Sequence, residues 1–392
     1  MHPAIFNLGF RPFFTGACIF AVISIAYWLS IYLGGIPVNF VNLSPFQWHA
    51  HEMIYGYSLA VISGFLLTAV KNWTSQQTPH DGLLAALFSL WLLARLTWLF
   101  DAWLLDTSLI KLAAFFDLTF VLALMTAISL PIIRTKKWRQ LAILTKLILL
   151  GTGNLMFYLG LFGYINDGVH LAIYGGLYLI IGLILTIGRR LIPFFIKLGV
   201  DSTTEPYNVR WLDLLSLVFF LVFFISELFL DIFWLPSLAT TVLSITTTIR
   251  IIGWYTPGIW KTPLLWSLLL SLGFIDLGFI FIILRDWFSV SPYLATHAFG
   301  VGGIGVITMG MMARVTIGHT GRNLKSPPAI LPYSLGLLLI GTLIRVVMPI
   351  FDEGHYTLWL GLSGGCWLLS FTTFCYAFLP ILSQPRIDQK YG

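Results

Sequence analysis

Twelve apolar runs, each eighteen residues or longer, follow one another along the chain, near 12–33, 45–70, 83–100, 111–133, 141–164, 167–188, 211–234, 238–256, 263–284, 292–313, 330–350 and 356–380. Runs of this length cross a hydrocarbon core as helices, which need about 20 residues, and are too long for membrane β-strands of about 10. Inside lipid every backbone N–H and C=O must be satisfied within the segment, which leaves the α-helix as the only conformation available to them. Charged residues make up 10% of the 392 positions, against about 25% in a soluble domain. The connections between runs are too short to hold a separate soluble domain. The expected fold is therefore all-α and polytopic, about 12 transmembrane helices in a single transmembrane domain over 1–392.

The basic residues set an orientation. Eighteen of the 22 Lys and Arg residues, among them Arg11, Lys71, Arg189, Arg190, Arg314, Arg322 and Arg386, share one side of the expected bundle. By the positive-inside rule that side is cytoplasmic and so are both termini. The formal charge of +6 is topological and implies no nucleic-acid partner. The first run lacks a small-residue cleavage site and reads as a retained span. Three cysteines, Cys18, Cys366 and Cys375, imply no disulfide framework, and without a CxxCH motif haem is not attached covalently.

One pattern repeats. His51-Glu-Met-Ile-Tyr-Gly56, His170-Leu-Ala-Ile-Tyr-Gly175 and His297-Ala-Phe-Gly-Val-Gly302 all read His-x4-Gly and fall in the second, sixth and tenth runs. Each begins near the non-cytoplasmic end of its helix. Repeat-like units of four helices follow, at about 12–133, 141–256 and 263–380, possible arcs of one bundle. Ser44-Pro45 and Ser291-Pro292 supply an N-cap and a first-turn proline to two of the three helices.

Ionisable groups inside a bilayer cost several kcal/mol unless paired, so their placement is informative. Arg95, Asp117, Glu227, Asp276 and Arg345 sit in the outer half with the three histidines. One reading is structural, with Arg95 and Arg345 pairing the acids to hold helices together. The other is a cofactor layer, with His51, His170 and His297 as metal ligands and the two arginine forks receiving the carboxylates of a porphyrin. His49 lies about 200° around the helix from His51 and cannot share its direction, so one of the pair faces a second centre or a neighbour. Tyr55 and Tyr174, one turn past their histidines, are expected to pack between helices. Imidazole serves iron, copper and zinc alike, so residue type does not choose the metal.

Five motifs, Gly9-Phe-Arg-Pro-Phe-Phe14, Trp48-His-Ala-His-Glu-Met53, Gly64-Phe-Leu-Leu-Thr-Ala-Val-Lys-Asn-Trp-Thr74, Gly188-Arg-Arg-Leu-Ile-Pro-Phe194 and Gly318-His-Thr-Gly-Arg322, resemble the NnrS family. The resemblance implies a multi-pass protein of the bacterial inner membrane that contains haem and copper and is linked to denitrification, nitric oxide and nitrosative stress. A second likeness is topological. Histidines on helices two, six and ten look like those of the haem-copper oxidase core, but the seventh run here has no histidine for that core's copper site.

Together these readings give an expected haem b, with copper as a second candidate, on His51, His170 and His297. Arg95 and Arg345 stand as propionate partners, His49 lies close by, and no catalytic residue is assigned. Nitric oxide or a related nitrogen oxide is the expected ligand. Turnover as an oxidoreductase would draw electrons from quinol or an external donor, because the chain shows no electron-entry module. The rival class is a transporter that uses the same buried charges and histidines as a substrate or proton pathway. A third is an assembly factor without turnover.

Overall fold

The computed structural model describes all residues except 1–3, 37, 39, 41, 105–106, 202 and 204, and side chains are not described over 101–108. The side chains of Asp101 and Asp106 thus lie outside the described residues. Twelve helices are long and apolar enough to cross a membrane. They are α1 (Phe10–Tyr32), α2 (Pro45–Thr74), α3 (Asp81–Phe100), α4 (Leu109–Arg134), α5 (Trp138–Leu161), α6 (Gly168–Gly199), α7 (Arg210–Phe229), α8 (Trp234–Trp254), α9 (Pro263–Phe288), α10 (Pro292–His319), α11 (Leu331–Phe351) and α12 (Glu353–Ser383). The described residues contain no strand, as the backbone argument requires.

One boundary departs from the expectation. Gly188-Arg-Arg-Leu-Ile-Pro reads as a helix stop, yet α6 runs on through Pro193 to Gly199. The extra turns bury Ile192 and Ile196, four residues apart on one face, and Arg189 is held by Asp213 of α7 at 2.7 Å. Packing on that face overrides the proline, whose cost in a helix is about 3 kcal/mol.

At the start of α2 the cap is complete. The Ser44 hydroxyl accepts from the Gln47 amide at 3.2 Å, and the Gln47 side chain accepts from the Ser44 amide at 2.9 Å. In α10, Pro292 occupies the first turn as expected, but the Ser291 side chain makes no cap bond. Both helices then share a feature that periodicity does not reveal. Directly after His51 the backbone of α2 widens into a π-helix over Glu52–Ser58, and directly after His297 α10 does the same over Ala298–Gly305. Such segments shift the register of everything beyond them and recur at functional sites.

The chain divides into two compact units, one of 1–179, 312–330 and 371–392 and the other of 180–311 and 331–370, a division that cuts across α6, α10 and α12. In the first unit α1 lies along α2 through glycine contacts. A side chain on Gly9 would come within 2.4 Å of Leu67, and one on Gly64 within 2.7 Å of Phe14. Two of the five motifs therefore fit into one another, as small residues do where lipid gives helices no hydrophobic reason to associate. The Cys18 thiol on α1 donates to the Thr15 carbonyl at 3.3 Å. In the second unit α8 packs between α7 and α9, and α9 packs on the π segment of α10, with Gly302 against Phe274 and Gly278 against Phe299.

Candidate functional site

The first unit encloses a cluster of charged side chains, each almost wholly buried. His51, the last α-helical residue before the π segment, is 0% exposed. Its Nδ1 lies 2.9 Å from Glu52 Oε1, and its Nε2 lies 3.0 Å from Asn154 Oδ1 and 3.6 Å from Asp117 Oδ2. Arg95 of α3 bridges the two acids, Nη1 to Glu52 at 2.7 Å and Nη2 to Asp117 at 2.8 Å. Tyr158 donates to Asp117 Oδ2 at 3.0 Å and accepts from the Trp98 indole at 3.0 Å. Phe157 covers the imidazole with ring centroids 4.0 Å apart.

Helical spacing assembles this cluster. Trp91, Arg95 and Trp98 fall on one face of α3, and Asn154 and Tyr158 are one turn apart on α5. The π segment of α2 places Glu52 beside His51 and turns Gly56 towards Arg95. A side chain on Gly56 would meet Arg95 Nη1 at 2.9 Å and Phe20 at 2.7 Å, and the Trp91 indole donates to the Gly56 carbonyl at 3.0 Å. One residue earlier, Tyr55 donates to the Ala172 carbonyl at 2.7 Å between Gly153 and Gly176, the packing role expected of it.

Each ring nitrogen of His51 faces a side-chain oxygen, and the Arg95 guanidinium stands between the two carboxylates. Charge balance is what makes such a group tolerable in a low dielectric. The cluster is not a fully bonded staple, however. Among the described residues, Glu52 Oε2 accepts no hydrogen bond, and Arg95 Nε and Asn154 Nδ2 donate none. Polar networks left partly unmatched are costly.

The other predicted residues are placed as follows. His49 stacks on Trp28 with centroids 4.7 Å apart at 16°, while His51 is the one that enters the interior of this unit. His170 is exposed and lies against Tyr174 at 4.7 Å. In the second unit, His297 Nδ1 bonds the Tyr293 carbonyl at 2.7 Å. Arg345, on the neighbouring α11, is buried, donates to the Tyr356 hydroxyl at 2.7 Å and lies 5.1 Å over that ring. Asn154, Tyr158 and Trp98 escaped the sequence reading because a single amide or phenol in an apolar run carries no charge signal. Glu52 stood in view beside His51.

A haem asks for a neutral imidazole nitrogen lone pair, cations for its carboxylates and room for the ring. His51 and Arg95 do not meet that requirement, because both nitrogens and the guanidinium are spent on Glu52, Asp117 and Asn154. In His297 the Nδ1–H bond to the Tyr293 carbonyl sets the tautomer that puts the lone pair on Nε2. Open space adjoins the next turn, where a side chain added at Gly300 would meet nothing within 4 Å. Among the described residues no three His, Cys, Asp or Glu converge as a metal site.

Twelve membrane helices among the described residues, two of them broken by π segments behind a histidine, and a buried ionic cluster define a polytopic α-helical membrane protein. The chain belongs to the NnrS family, whose model, described as NnrS protein, matches residues 4–386. No curated protein matches the sequence.

Proposed function

We propose that this chain is a haem-carrying protein of the bacterial inner membrane that acts in the cell's response to nitric oxide, with His297 as the iron-binding residue. Family membership supports the setting. The observation that carries the residue assignment is the 2.7 Å bond from His297 Nδ1 to the Tyr293 carbonyl. That bond holds the ring still and increases the basicity of Nε2, as it does for metal-bound histidines generally. Arg345, held by Tyr356, is the nearby cation for a porphyrin carboxylate. The π segment Ala298–Gly305 contains no ionisable side chain and keeps the surroundings apolar. Bound there, haem supplies an iron that takes nitric oxide and passes single electrons, which must arrive from a quinol or another external donor.

The test is the protein purified in detergent from haem-sufficient cells, with bound haem and iron measured. Haem near one per chain is expected, falling to a small fraction in His297→Ala and retained in His170→Ala. Wild-type protein without haem would overturn the reading, and full retention in His297→Ala would overturn the assignment.

A further inference from the structure

Among the described residues, six carboxylates lie inside the membrane helices beyond the terminal residues of each, and five of them have a cation. Glu52 and Asp117 share Arg95, Glu227 and Asp286 share Arg285, and Asp213 takes Arg189 and Arg250. The sixth, Asp276, makes no ion pair. It stands on α9, thirteen residues from Pro263 and twelve from Phe288, roughly 18–20 Å from either end at 1.5 Å per residue and so at the middle of the membrane.

Its surroundings are built from hydroxyls. Thr248 of α8 donates to Oδ2 at 2.7 Å, and Ser244 stands one helical turn away on the same face of α8. Oδ1 has no partner, and the residue is 9% exposed. The charged and titratable groups on the elements packed against it are engaged elsewhere. Arg250 of α8 is paired with Asp213, and Arg285 of α9 with Glu227 and Asp286. His297 of α10 bonds Tyr293, and Arg345 of α11 bonds Tyr356. The π segment of α10 against α9 offers none. Backbone on both sides of Asp276 is fixed by that segment, Phe274 against Gly302 and Gly278 against Phe299.

An ionised carboxylate in this place would carry a full charge midway along a membrane span with one hydroxyl bond at 2.7 Å and one bare oxygen. That arrangement costs several kcal/mol more than the neutral acid. Sodium would need five or six oxygens, and the side chains present offer too few. We infer that Asp276, Thr248 and Ser244 form a proton-binding site at the membrane midplane, with Asp276 holding its proton at neutral pH. The site lies apart from the haem reading and stands or falls without it.

Infrared difference spectra of the full-length protein in lipid, wild type minus Asp276→Asn, test this. The expected result is loss of the carbonyl-stretch band of a protonated carboxylic acid, present at neutral pH and replaced by carboxylate bands only in strong alkali. Carboxylate bands lost at neutral pH would overturn the inference. So would an acid band that sodium converts to carboxylate, the mark of a cation site. Asparagine is nearly isosteric with the neutral acid, so the variant is expected to fold. If it does not, Thr248→Val keeps the carboxyl and must shift the acid band upward by removing a hydrogen bond. The absence of any such shift would equally count against the site.

Discussion

Arg95 holds Glu52 and Asp117 in a place where water cannot, so the three side chains are energetically one object. Removing the guanidinium in Arg95→Ala leaves two buried carboxylates with only His51 to balance them. Breaking a buried pair in this way costs about 3–5 kcal/mol. The expected outcome is a large drop in thermal unfolding temperature in detergent, partly recovered when Asp117→Asn is added, because the second change removes the stranded charge. A double variant no more stable than the single one would mean that the cluster is not coupled in this way. Gly56→Ala is a finer probe. Its methyl group would meet Phe20 at 2.7 Å and Arg95 at 2.9 Å, an overpacking worth about 1–3 kcal/mol.

The π segment is what distinguishes α2 and α10 from the other ten helices. A π turn holds an extra residue relative to an α turn, so removing one residue from Glu52–Ser58 lets the segment close to α geometry while Leu59–Thr74 keeps its direction. Removing one residue from within Leu59–Thr74 instead turns every later side chain by about 100° and takes Gly64 away from Phe14. Expression and unfolding temperature should therefore fall much further for the second deletion than for the first. Equal losses would show that the π segment is as rigid as the α-helix beside it. At the start of the same helix, Ser44→Ala removes the capping-box hydroxyl, for an expected loss of about 1 kcal/mol.

At the scale of the molecule, eighteen of 22 basic residues on one side predict that both termini face the cytoplasm. Reporters fused to either end and active only in the cytoplasm should both be active. Activity from an outside-only reporter at either end would reverse the orientation.

The sequence by itself determined that the chain is a bundle of twelve membrane helices. It also determined that His51, His170 and His297 recur at one pattern, and which family the motifs resemble. Those properties are local: twenty apolar residues need no partner to dictate a helix in lipid, and a motif is read where it stands. Tertiary structure alone decided how the recurring histidines differ. His51 spends both nitrogens on Glu52 and Asn154, His297 turns one to Tyr293, and His170 lies on Tyr174. It decided as well that Arg95 has two carboxylates and Asp276 no cation. The physical reason is that a buried charge is governed by which groups on other helices come within about 3–4 Å of it. Hydropathy assigns a residue to a helix and a depth, and it carries no record of which neighbour stands across from it.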